Sequence, residues 1–212
     1  MYRRVSFGRR YAAAMTDWIR ALEPGVPDVV GAWRGIEEER FLTVRREVRR
    51  RTGPGSAERI VPQLAVLAEA LIARIETLPD EAFGLAGGEE DWTVAETIGH
   101  AAAARSGLVM AAALAAAGRW PADAPRVVPG VPGPSGLDRA DLVRKIEQSQ
   151  RIIARSAGRI AGHETEPCPL EHPLVGRLRC GEWLLFAGVH DLMHLEQLHA
   201  IADELAAGAA EK

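Results

Sequence analysis

The sequence predicts an all-α protein built around a four-helix bundle. Three observations support this prediction: four segments have apolar or alanine-rich helical patterns, one of them opens with a capping box, and no two segments read as a credible strand pair. The chain has 212 residues and is 47% apolar, so it is long enough to bury a core without disulfide or metal staples. This length suits one domain with an appendage.

The predicted helices cover residues 57–78, 93–117, 137–161 and 181–206. The first has one apolar stripe, at Ile60, Leu64, Leu67, Leu71 and Ile75, and the third has another, at Leu142, Ile146, Ile153 and Ile160. The second is rich in alanine, the strongest helix former. Together these helices define a bundle over residues 56–207.

Two of the predicted connections are long and rich in proline. Residues 119–136, between helices two and three, contain five prolines, and residues 162–180, between helices three and four, contain three. Loops of this length in a compact domain are usually crossovers or covers over a functional site.

Residues 1–55 are interpreted as an Arg-rich extension outside the main core. Its first 53 residues contain twelve arginines and seven acidic residues, and residues 35–51 are predicted to form a helix. Because acids are interleaved with the arginines, a solvated helix face is favoured over nucleic-acid binding. A further alternative is an arm that contacts a partner protein or an acidic surface.

Composition excludes several classes of protein. Only two cysteines are present, Cys168 and Cys180, which excludes a disulfide-rich scaffold and an all-cysteine zinc site. The most apolar stretch, residues 107–118, is too short to span a bilayer, and no secretory signal is evident. We therefore expect a cytoplasmic protein that does not associate with membranes. The net charge of −3 gives no general attraction to nucleic acid.

A histidine pair in the fourth helix is the main candidate for chemistry. His190 and His194 are four residues apart and share one helix face, to which Gln197 returns. Two imidazoles at this spacing can hold one metal ion, although the residue after His190 is not the glutamate of a zinc protease. Such a pair is also common among core or surface histidines.

A third histidine lies in the second helix. The capping box formed by Thr93 and Glu96 places His100 two turns inside that helix, among alanines. A single histidine there is often a hydrogen-bonded core residue. If the bundle packs this helix against the fourth, however, His100 could meet the histidine pair on one ion with open coordination positions. Glu96 lies one turn before His100 and could be counted as a fourth ligand, but the capping box already accounts for it. His199 is expected to point away from the site.

These residues resemble the DinB superfamily over about residues 57–206. The resemblance is carried by Asp91-Trp92-Thr93 with Glu96 and His100, by the run from His172 to Leu178, by Glu182-Trp183, and by His190, His194 and Gln197. It implies a DinB-like four-helix bundle, often a homodimer, that holds a divalent metal ion such as zinc, nickel or iron. The implied metal ligands are His100, His190 and His194.

The resemblance leaves two classes of function open. The first is a metal-dependent enzyme acting on a small molecule, either a transferase or isomerase that uses a small cofactor thiol or a hydrolase. Its metal would polarise a carbonyl group or favour a thiolate. The alternative is a non-enzymatic, metal-stabilised bundle acting in binding or stress response. Asp191 and Gln197 could orient ligand imidazoles, or they could be a solvated residue and a packing residue.

Overall fold

The fold consists of seven α-helices and a short antiparallel hairpin in the described part of the chain. The computed structural model describes residues 15–36, 41–87, 91–173 and 175–210. In chain order the elements are α1 (Met15–Leu22), α2 (Pro27–Arg34), α3 (Phe41–Arg51), α4 (Ser56–Thr77), a 3₁₀ turn (Asp80–Gly84), α5 (Val94–Ala116), α6 (Arg139–Ala157), β1 (Pro167–His172), β2 (Gly176–Arg179) and α7 (Cys180–Ala210). The all-α prediction is confirmed.

Helices α4, α5, α6 and α7 form the bundle. Each of α4 and α5 packs mainly against α6 and α7. The predicted stripes face the interior, because the five apolar residues of α4 and the four of the third predicted helix are all fully buried. The spacing of the apolar residues in the sequence therefore predicted the buried faces of these two helices correctly.

The observed helix ends agree closely with the sequence prediction. The third helix is shorter than predicted at both ends. It begins at Arg139, because the side chain of Asp138 accepts a hydrogen bond from Asp141 N and caps α6 there, and it ends at Ala157 rather than at residue 161. The last helix continues to Ala210, past the predicted end.

The prediction that the chain has no strand pair is wrong. Strands β1 and β2 pair antiparallel in the connection between α6 and α7, with His172 opposite Gly176 and Pro167 opposite Arg179. The ladder is irregular between Pro167 and Glu171. Proline cannot donate a hydrogen bond to a neighbouring strand. Pro167 and Pro169 therefore make this segment resemble a loop in the sequence.

The N-terminal helices pack on the bundle rather than standing apart from it. Val29, Val30 and Val48 are fully buried and belong to the same apolar core as the four bundle helices. Helix α2 contacts α4 and α7, and α3 contacts α7. The described part of residues 1–55 thus differs from the expectation of a segment outside the core. The boundary at residue 56 stays a prediction.

The predicted helix over residues 35–51 is found in part. Its C-terminal portion is α3 (Phe41–Arg51), whereas residues 37–40 lie outside the described residues. Four of the five arginines of α3 make ion pairs with buried carboxylates: Arg49 pairs with Glu182, and Arg46, Arg50 and Arg51 pair with Glu47.

A glycine in α7 lets α2 approach closely, and this contact can be tested. A Cβ atom at Gly188 would lie 2.8 Å from Val29 Cγ2 and 3.0 Å from Leu64 Cδ2. We expect Gly188→Ala to lower the free energy of unfolding by about 1–3 kcal/mol, because the added methyl overpacks the core. Urea unfolding would measure the change.

Gly107→Ala in α5 is the matched control for this prediction. A Cβ atom there meets nothing within 4 Å, so the same change should stabilise the protein by about 0.5–1 kcal/mol through helix propensity alone. Equal effects at Gly188 and Gly107 would contradict a close contact between α2 and α7.

By length and composition, one helix in the described part of the chain could cross a membrane. It is α5, and half of its most apolar stretch is buried inside the protein. Its long contacts with α6 and α7 account for that composition. Arg105, near its middle, is fully buried in an ion pair with Asp191.

Candidate metal centre

The two histidines of α7 converge on one point in the bundle interior. His190 and His194 are one turn apart, both are buried, and their Nε2 atoms lie 3.3 Å from each other. The ligands of a tetrahedral ion with metal–nitrogen bonds of about 2.0–2.1 Å are separated by roughly 3.3 Å. The pair is therefore spaced as two ligands of one ion would be.

His100 joins the pair from α5. The Thr93 side chain accepts a hydrogen bond from Glu96 N, while the Glu96 carboxylate accepts one from Thr93 N, so the predicted capping box is present. It starts α5 at Val94, which brings the His100 ring to 5.4 Å from that of His190 and 5.5 Å from that of His194.

One nitrogen from each of the three rings lies within 4.8 Å of the other two. The structure thus brings together the three side chains that the sequence nominates. Their role as metal ligands stays a prediction.

Hydrogen bonds fix the tautomers of two of these rings. Nδ1 of His100 donates to the carbonyl oxygen of Val131 at 2.8 Å, because a carbonyl can only accept. With Gln197 oriented so that Oε1 accepts, Nδ1 of His194 donates to it at 2.7 Å. Both rings are then left with an Nε2 lone pair that faces the centre. Outer partners of this kind hold metal-ligating histidines in place.

His190 has a different environment. Its Nδ1 is buried and has no hydrogen-bond partner among the described residues. Because Nε2 of His194 can only accept here, the short contact between the two Nε2 atoms requires the proton of His190 on its Nε2. A cation bound by both lone pairs would remove that requirement, so the donor set of three imidazoles fits a divalent transition metal.

Burial keeps the His190 ring uncharged. Loss of solvation lowers the pKa of His190 well below its ordinary value, and the neighbouring His194, His100 and His172 lower it further. A neutral imidazole is the form that binds a metal ion. The protein therefore holds His190 ready for ligation at neutral pH.

His172, for which the sequence pattern predicts no role, lies beside this centre. It is the last residue of β1, and its ring meets the Phe186 ring at 5.4 Å. Burial and the nearby His100 lower its pKa. The hairpin that carries it was not predicted, so the only signal available was its place in the motif shared with the DinB superfamily.

Aromatic and loop residues enclose the remaining sides. Trp92 packs against His100 with ring centroids 5.0 Å apart, and Phe186 lies 6.4 Å from His190. The long connection between α5 and α6 reaches the centre through Val131. Gly133 makes this possible, because its backbone approaches Gly99 so closely that a Cβ atom would lie 2.6 Å from the α5 backbone. This placement agrees with the prediction that a long connection covers a functional site.

The two residues offered as orienting groups have different roles. Gln197 does contact an imidazole, that of His194. Asp191 instead accepts a hydrogen bond from Arg105 Nε at 2.9 Å, and both side chains are fully buried. The sequence does not predict this pair, because Arg105 resembles an ordinary boundary residue in an alanine-rich stretch.

The other histidines and both cysteines lie outside the cluster. His199 contacts Arg74 and stacks on Trp18 with ring centroids 4.6 Å apart. His163 pairs with Glu166 on the surface. Cys168 and Cys180 are buried free thiols, and burial raises the pKa of Cys180 to about 12.

The position of His199 predicts a pH dependence of stability. Burial, followed by the charge of Arg74, lowers its pKa to about 4, whereas the unfolded chain has an ordinary value near 6.5. The stability that the neutral His199 ring contributes is complete above pH ~6.5 and is lost as the pH falls toward 4. Over that range the unfolded state binds more protons at this residue than the folded state does.

Between pH 7.5 and 5, we expect the free energy of unfolding to fall by about 1 kcal/mol more in the wild-type protein than in His199→Gln. This value is smaller than the full pKa shift implies, because the ring is partly exposed and solvent screens its charge. Urea unfolding of both proteins at several pH values measures this difference. Parallel stability curves for the two proteins would contradict it.

Fold and site together define a helical-bundle protein with a candidate metal centre of three histidines. The model of the DinB superfamily matches residues 63–198, a span that includes all three. The chain belongs to the DinB superfamily. No curated protein and no solved structure matches the chain significantly.

Proposed function

We propose that the protein is a divalent-metal-dependent enzyme that acts on a small molecule. The observation that carries the proposal is the convergence of three imidazoles, with His190 Nε2 and His194 Nε2 3.3 Å apart. His100, His190 and His194 would hold the ion, and zinc, nickel and iron all accept such a donor set. A homodimer in the cytoplasm remains part of this proposal.

Three ligands are typical of catalytic rather than structural sites. A structural zinc site is closed by four protein ligands, whereas a catalytic site leaves positions for substrate. Among the described residues, only these three form such a cluster of histidine, cysteine or acidic side chains. When bound, the ion supplies Lewis-acid chemistry to a carbonyl or thiol group of the substrate.

The chain's own residues keep the centre oriented. Val131 and Gln197 each hold one imidazole in the tautomer that presents Nε2 inward. Trp92 and Phe186 add aromatic surface beside the rings. His172, whose pKa is lowered by burial and by the nearby His100, lies beside the centre and could accept a proton from substrate.

A thiol-transfer reaction is the first activity to test. The protein would be purified with and without chelator, its metal content measured, and the loaded form assayed for loss of free thiol with a panel of electrophiles and small cofactor thiols. We expect metal near one equivalent per chain and turnover that disappears in His190→Ala. Hydrolase substrates form the second panel.

The alternative is a non-enzymatic bundle that the metal stabilises. Two results together would favour it. His190→Ala would lose both the metal and the stability that the metal confers, and the metal-loaded wild-type protein would show no turnover with any substrate panel. Absence of bound metal under all loading conditions would contradict both proposals.

A further inference from the structure

A concave site lies beside the hairpin, apart from the three histidines. It is a cleft of about 440 Å³ between α3, the connection that precedes α6, and the two strands. Pro167, Pro169 and Leu178 supply apolar lining, and Cys168 also lines it. The other lining residues are five arginines: Arg45, Arg49, Arg126, Arg177 and Arg179.

Acidic side chains balance only part of this charge. Glu182 accepts hydrogen bonds from Arg49 at 2.6 and 3.2 Å, and Glu171 accepts one from Arg177 at 3.2 Å. Arg45 and Arg126 are exposed and make no side-chain hydrogen bond or ion pair with any other described residue. The cleft thus carries excess positive charge in a chain whose net charge is −3.

This arrangement favours an anion with several charges. Like charges gathered around one cleft repel one another, and a bound anion relieves that repulsion. The planar fork of a guanidinium group matches the oxygens of a phosphate group in a bidentate manner. Because the arginines come from three separate segments, a compact ligand with several anionic oxygens can contact more of them than a monocarboxylate can.

The size and lining of the cleft indicate the rest of the ligand. Small-molecule sites typically have volumes of about 300–1,000 Å³, and they combine apolar walls with a few polar anchors. The proline and leucine surfaces can accept an organic group beside the arginines. We propose that this cleft binds a small organic molecule that bears a phosphate or diphosphate group.

The cleft is separate from the three-histidine centre. Arg179 directly precedes α7, whereas His190 lies eleven residues further along the chain. At a rise of 1.5 Å per residue, this separation is about 16 Å along the helix axis. None of His100, His190 and His194 is among the residues that line the cleft.

Inorganic pyrophosphate is the probe for the test, measured by calorimetry in a phosphate-free buffer with the full chain. We expect saturable binding with one site per chain. Arg45→Gln and Arg126→Gln should each weaken it by about tenfold, the effect of losing one charge-assisted contact. Neither side chain has an ion-pair partner among the described residues, so both variants should keep the wild-type melting temperature.

Two further variants separate the outcomes. Arg144→Gln, which removes an exposed arginine of α6 away from the cleft, should bind pyrophosphate as the wild type does. His194→Ala should also retain binding, and loss there would overturn the proposal by assigning the anion to the histidine centre. Equal binding by all the arginine variants would overturn it too. So would binding of a short single-stranded oligonucleotide with none of pyrophosphate.

Discussion

Replacement of His194 by alanine is expected to abolish the stabilisation that zinc or nickel gives to this protein. A ligand that binds only the folded state at one hundred times its dissociation constant stabilises it by about 2.7 kcal/mol. For a chain of this size, that corresponds to a rise in melting temperature of roughly 5–11 °C. His194→Ala removes one of the two Nε2 atoms that lie 3.3 Å apart, so the metal-induced shift should vanish.

His199→Ala is the matched control, because it removes a histidine from the same helix but outside the cluster. Its contacts with Arg74 and Trp18 set the melting temperature of the metal-free protein, so the quantity to compare is the shift caused by metal. That shift should equal the wild-type value. Similar metal-induced shifts in wild type and His194→Ala would refute the three-histidine centre.

Breaking the buried ion pair between α5 and α7 is expected to have the largest effect on the metal-free protein. Arg105 donates to Asp191, to Ser149 Oγ and to the carbonyl oxygen of Leu64, each at 2.8–2.9 Å, and so links all four bundle helices. Removal of one partner leaves an uncompensated buried charge, which typically costs about 3–5 kcal/mol. Arg105→Ala should therefore lower the urea midpoint by roughly 1–3 M.

A double variant distinguishes charge from packing in this prediction. Arg105→Met with Asp191→Leu replaces both charges by apolar side chains of similar volume, and it should recover much of the stability lost in Arg105→Ala. Arg144→Ala, which breaks an exposed ion pair in α6, should cost at most about 1 kcal/mol. A loss of less than about 1 kcal/mol in Arg105→Ala would show that the pair contributes little.

The bundle could be predicted because its signals are local. The apolar stripe of α4 and the capping box of α5 each specify one helix face or one helix start without reference to the rest of the chain. The spacing of His190 and His194 likewise guarantees a shared face. These features can therefore be predicted from short segments of the sequence.

The features that were missed depend on contacts between distant segments. Nothing near Arg105 in the chain indicates that its guanidinium is enclosed by α4, α6 and α7. The burial of Val29 against Gly188 depends on how α2 docks, and a short valine-containing helix among arginines resembles a solvated arm. The hairpin was hidden because its prolines are turn signals, although its two strands are held by only a few ladder bonds.

The histidine centre also has a consequence for how the chain folds. About 90 residues separate His100 from His190, so closing that loop carries an entropic cost that grows with the logarithm of its length. Before α5 and α7 dock, the chain cannot present all three of these imidazoles to one cation, and the His190 and His194 pair alone is a weaker chelate. The complete donor set arises only when α5 and α7 have docked, so metal capture would follow assembly of the bundle and would mark chains that have completed it.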